Sequence, residues 1–153
     1  EEQGPDNPPE LWLRFAEGLG VSRESTQAAE LLDSTHDSVA ALRDICNGDD
    51  YRNGVAALYA YESQVPEVSR TKREGLAKYY ALDDPRAVEF FTIHEEADLR
   101  HRTEERAILA RECRDATSRD AAVAAAGDAA QALWEFLDGV YDAYVEPCTK
   151  CAA

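Results

Sequence analysis

The feature that most narrows the fold of this chain is a negative one: no stretch of useful length alternates apolar and polar residues. A half-buried strand needs that period of two. Apolar residues recur instead at helical spacing, with helix start and stop signals between segments. Pro9 suits the first turn of a helix running to about Leu19, with Leu11, Trp12 and Phe15 as apolar contacts and Gly18 and Gly20 ending it. A short helix is expected from about Arg23 to Leu32. Ser34 or Thr35 is expected to cap the next, which carries Val39, Leu42 and Ile45 on one side and stops at Gly48. A long segment follows from about Tyr51 through VAALYAYESQV; Pro66 kinks or breaks it, and helix resumes to roughly Lys78. Asp83-Asp84-Pro85 starts a helix running towards Arg114, and Thr117-Ser118-Arg119-Asp120 resembles a capping box for a last helix up to about Val145. The expected fold class is all-α: a single helical domain over residues 1–153, with a tail from about residue 146.

A chain of 153 residues can bury a real core. Its net charge of −15 repels phosphate backbones and anionic lipid, so neither nucleic acid nor a membrane surface is an expected partner. No apolar run approaches the roughly 20 residues that span a bilayer. The chain contains no methionine and begins Glu1-Glu2-Gln3-Gly4, as a fragment or processed product would. Of four cysteines, Cys148 and Cys151 form Cys-Thr-Lys-Cys near the end. A second pair for a zinc site is not visible, nor is the βαβ context of a thioredoxin-like motif, so the pair reads as incidental thiols. A reducing, cytoplasmic setting is expected.

Candidate chemistry lies in FFTIHEEADLRHRTEER. On a helix, His94, Asp98 and His101 fall at i, i+4 and i+7, within an arc of about 60°. Two imidazoles and a carboxylate on one face suit non-haem iron. The two histidines are about 10 Å apart along the axis, so two neighbouring metals are served more easily than one. The competing reading is a solvated helix, since Glu95, Glu96, Arg100, Arg102, Glu104 and Glu105 look exposed. Glu62, in LYAYESQVPE, follows an apolar stretch on a helix expected to be mostly buried. A buried carboxylate is costly unless paired or metal-bound. Either a metal or an ion pair with Arg70 or Arg73 would satisfy it.

The runs ALYAYESQVPEVSRTKREGLAKYY and AVEFFTIHEEADLRH resemble the haem-oxygenase-like diiron oxidases and oxygenases, nearest to the CADD-like branch (proteins similar to the Chlamydia protein associating with death domains). That family shares its fold with the TenA thiaminases and the pyrroloquinoline-quinone synthase. The specific signature is Glu62 followed, 32 positions later, by His-x3-Asp-x2-His. The resemblance implies a helical bundle from which the family's first two helices are missing here. It also implies a metal ligand set of Glu1, Glu62, His94, Asp98 and His101. Where the family would be expected to carry one more histidine ligand, before Pro-Glu-Leu-Trp, this chain reads Pro8. Proline offers no side-chain donor, so one metal position is expected to be weakened or empty. Glu2 could stand in for Glu1, and His36, the spare histidine, reads as a surface residue at a helix start. Lys72 matches a lysine that, with an N-terminal tyrosine, is thought in this branch to be consumed in p-aminobenzoate synthesis; it also reads as an ordinary surface lysine beside Arg73.

The expected function is therefore an O2-activating iron enzyme, with Fe(II), two ions, as cofactor and O2 as co-substrate. A small metabolite is the expected substrate and a homodimer a conceivable state. Phe90, Phe91 and neighbouring tyrosines would keep water out. Two rivals remain: a metal-free TenA-like enzyme, for which Cys113 is the central nucleophile candidate, and a degenerate, non-catalytic interaction bundle.

Overall fold

A computed structural model describes residues 7–147. The described residues are helical, without a strand. The helices are α1 (Pro8–Gly18), α2 (Arg23–Gln27), α3 (Asp33–Cys46), α4 (Tyr51–Glu62), α5 (Val65–Tyr80), α6 (Glu89–Glu112) and α7 (Ala116–Val140), the last running on into a π-helical turn over Tyr141–Val145. This is the all-α class expected from the sequence. Two compact units divide the chain: residues 7–30 with 63–100, and residues 31–62 with 101–147. Helix α6 gives residues to both.

In the first unit, α1 begins where the Asn7 side chain accepts a hydrogen bond from the Glu10 backbone N–H at 3.0 Å. Pro8 and Pro9 fill positions that need no N–H partner. Gly20, at φ 82°, turns the chain out of the helix. Helix α2 stops at Gln27, short of the expected Leu32. Arg23 at its start binds Glu10 (2.6 Å) and Glu17 (2.8 Å), and Arg14 binds Glu10 (3.0 Å) and Glu89 (2.7 Å). Hydrogen bonds from Arg23, then Arg14, push the Glu10 carboxyl down to about 2. The core here is Leu11, Leu82, Ala87, Val88, Phe90 and Phe91, with Phe15 and Leu76 against it. Each buried leucine or phenylalanine contributes roughly 1.5–3 kcal/mol, so Leu11, Phe90 and Phe91 anchor α1 against the start of α6. Asp84 and Pro85 do not open α6 directly; a turn intervenes and the helix begins at Glu89.

In the second unit, α7 packs on α3 and α4, which also pack on each other. Its buried positions are Ser118, Ala122, Ala125, Ala129 and Ala132, a stripe at helical spacing with little side-chain bulk. Opposite, α4 buries Gly54, Ala56 and Ala57. Small residues on both sides let the axes approach closely. Helix α4 is thus less buried than its sequence suggested: Leu58 and Tyr61 are exposed. Two caps also differ from expectation. Leu32 occupies the N-cap of α3 without a side-chain bond, and Ser34 and Thr35 lie inside the helix. The cap of α7 is Asp115, which accepts from the Ser118 N–H at 2.8 Å; Thr117 to Asp120 are already helical. Aspartate outranks threonine at this position because its charge also favours the helix N-terminus.

Candidate metal centre

Helix α6 is unbroken from Glu89 to Glu112, so His94, Asp98 and His101 keep the spacing that places them on one face. Asp98 is buried, at 3% exposure. It stands one turn before His101, and their ligand atoms come within 4.8 Å of one another. Glu62 is the last residue of α4. Its Oε2 lies 3.1 Å from His101 Nδ1, with the glutamate side chain 19% and the imidazole 34% exposed. An anion at a helix C-terminus is opposed by the helix dipole, so Glu62 gains from a donor or cation placed there.

The sequence left two partners open for Glu62, a metal or one of two arginines. The arginines are engaged elsewhere: Arg70 bonds Glu67 at 2.6 Å and Arg73 bonds Glu95. His101 is a partner of Glu62, at 3.1 Å. A carboxylate accepts, so Nδ1 of His101 donates, and in the neutral imidazole this leaves the lone pair on Nε2. A carboxylate that fixes an imidazole in this tautomer is the usual support of a metal-binding histidine.

His94 is prepared in a similar way by a different residue. Its Nδ1 lies 2.8 Å from the Phe90 carbonyl oxygen one turn earlier. A carbonyl only accepts, so Nδ1 carries the proton and Nε2 the lone pair. The Phe90 ring also stacks on the imidazole, with centroids 4.1 Å apart and planes at 23°. Neither the carbonyl bond nor the stack was anticipated from the sequence. The signal was present: Phe90 precedes His94 by four positions.

The donor set fits iron. Glu62, Asp98 and His101 are the His/Cys/Asp/Glu group among the described residues whose ligand atoms gather within 4.8 Å. Two carboxylates and imidazole suit a ferrous ion. His94 is not in that group. Glu1, Glu2, Cys148 and Cys151 lie outside the described residues. Pro8 opens α1. Lys72 is exposed on α5, with Nζ 5.7 Å from the centroid of the Phe91 ring. His36 is exposed in the first turn of α3. Cys113 is a buried thiol packed among Ala56, Ala122 and Leu109. Among the described residues, no helix is long and apolar enough to cross a membrane.

A family model described as iron-containing redox enzyme matches residues 1–134. The chain is 42% identical over 144 residues to a 4-aminobenzoate synthase of Nitrosomonas europaea, a match covering 94% of this chain and 58% of that protein. It is 40% identical over 151 residues to a 4-aminobenzoate synthase of Chlamydia muridarum (99% of this chain, 61% of that protein). For a 4-aminobenzoate synthase of Chlamydia trachomatis the identity is 38% over 152 residues, covering 99% and 63%. The chain therefore spans less than two thirds of the length of each of these relatives. Matched over most of its own length, it belongs to the family of iron-containing redox enzymes.

Proposed function

We propose that this chain carries the iron-binding part of an O2-dependent oxidase or oxygenase acting on a small metabolite, with formation of 4-aminobenzoate as the reaction. The observation that carries the reading is the Glu62–His101 contact at 3.1 Å, one helical turn from the buried Asp98. Glu62, His94, Asp98 and His101 would hold iron, with Glu1 added for a second ion. Bound ferrous iron supplies the electrons that reduce O2. The protein's part is to fix the imidazole tautomers and to cover one face of His94 with the buried ring of Phe90, against which Phe91 packs and which keeps water off that face. The acceptor bonds at both Nδ1 atoms hold those protons away from the metal side of each ring. The name of the relatives supports 4-aminobenzoate as product. Lys72, whose ammonium lies over the Phe91 face, is the residue proposed to be consumed as a co-reactant. A cytoplasmic setting and a homodimer belong to the same reading.

The test is anaerobic reconstitution with ferrous iron, metal analysis per chain, then admission of O2 with optical monitoring and mass spectrometry of the small molecules released. Retained iron, a transient visible band and 4-aminobenzoate support the proposal. A chain that retains no iron after desalting overturns it.

A further inference from the structure

The residues around His94 form a column of rings that the metal ligand set does not include. Phe90 stacks on the imidazole, with 4.1 Å between centroids and 23° between planes. Trp12, from the middle of α1, lies against Phe90 with centroids 4.3 Å apart and the planes tilted by 37°. Phe91 closes the cluster edge-on, 5.4 Å from Phe90 and 5.7 Å from Trp12. Phe90 is buried and Trp12 is 41% exposed, so the column runs from an accessible indole to the imidazole.

We propose that Phe90 is a positioning residue for His94, and that Trp12 holds Phe90 in place. The inference rests on the reading of His94 as an iron ligand. The Phe90 carbonyl bond at 2.8 Å selects the tautomer, but a single bond at Nδ1 leaves the imidazole free to rock about its axis. The stacked ring removes that freedom, because offset aromatic pairs favour one relative plane. One residue thus sets both which nitrogen is deprotonated and where its lone pair points. A ligand already held in its binding geometry loses less freedom when the metal arrives.

The phenyl ring can be removed while the carbonyl stays. Phe90→Leu keeps apolar bulk and deletes the stack; Phe90→Tyr restores a ring; Trp12→Leu alters a partly exposed position and leaves Phe90 intact. Two readouts are needed. The first is the 15N–1H long-range spectrum of the histidine rings in the metal-free protein at about pH 8.5, above the ordinary imidazole range. The second is ferrous-iron affinity measured anaerobically. For the unaltered chain a single, narrow Nδ1–H form of His94 is expected. In Phe90→Leu that signal broadens or is joined by the other tautomer, and affinity falls about tenfold, the low end of what metal-ligand support contributes. Phe90→Tyr restores both, and Trp12→Leu shifts both in the same direction by less. An unchanged His94 spectrum in Phe90→Leu overturns the proposal even if affinity falls, because the loss is then general destabilisation. If Phe90→Leu fails to fold, an unchanged spectrum in Trp12→Leu overturns the Trp12 part and a normal spectrum in Phe90→Tyr supports the ring's role. A spectral change as described in a chain that binds no iron upholds the positioning and refutes the metal reading, so the two failures are distinct.

Discussion

Replacing His101 by alanine separates a metal ligand from a merely structural histidine. The imidazole donates to Glu62 at 3.1 Å and stands one turn from Asp98, so its removal takes away one ligand and unsettles another. In the metal-free protein the cost is modest. The bond involves an ionised acceptor, but the glutamate is 19% and the imidazole 34% exposed, so water replaces part of what is lost. A decrease of about 1–2 kcal/mol is expected. The metal-dependent increment is the larger signal. A ligand that binds only the folded chain stabilises it by about 2.7 kcal/mol at 100 times its Kd. For a chain of this size that corresponds to roughly 5–11 °C in Tm. Support residues alone contribute about 10–100-fold in metal affinity, so loss of a ligand should exceed about 100-fold and erase nearly the whole increment. The assay is anaerobic thermal unfolding by circular dichroism, with and without ferrous iron, on both proteins. Each protein is its own reference, so the metal-free loss cancels. An equal iron-dependent rise in His101→Ala would refute the assignment of this imidazole to the metal.

Two further predictions concern the frame around the site. The Glu10 carboxyl lies below its ordinary value of 4.5, at about 2, so its contribution to stability is complete above about pH 4.5 and is lost as pH falls towards 2; the Tm difference between the unaltered chain and Glu10→Gln should shrink across that window, and a constant difference would contradict the Arg23 and Arg14 bonds. Gly18→Ala places a methyl 2.5 Å from Ala87 Cβ and 3.2 Å from Leu82 Cδ1, so overpacking of about 1–3 kcal/mol should outweigh the helix-propensity gain; Gly75→Ala on α5 meets nothing within 4 Å and should instead stabilise by up to about 1 kcal/mol, and urea unfolding that gives both the same sign would show the packing at Gly18 to be looser than described.

Much of the helix pattern was legible because helix signals are local. Pro9, Gly20 and Pro66 act on their own turn of chain, and the helices around them begin and end near those residues. The errors fell where two local signals competed. Ser34, Thr35 and Thr117 are good caps in isolation, yet the helices begin earlier, at Asp33 and, behind Asp115, at Ala116. Burial was less legible than helicity. Leu58 and Tyr61 look like core residues but are exposed, while the alanines of α7 and Gly54, Ala56 and Ala57 of α4 are buried, because close helix packing excludes large side chains.

The spacing of His94, Asp98 and His101 was set by the sequence alone, since 3.6 residues per turn places them on one side of any helix that contains them. The partner of Glu62 was not. Arg70 and Arg73 were close in sequence, and His101 is 39 positions away, so only the path of the folded chain could choose between them. The stack of Trp12, Phe90 and His94 belongs to the same class: Trp12 reaches the other two through the packing of α1 against α6. Local rules carry the periodicity of a helix; contacts between distant segments depend on which faces bury each other, and those are fixed by the summed packing of the unit.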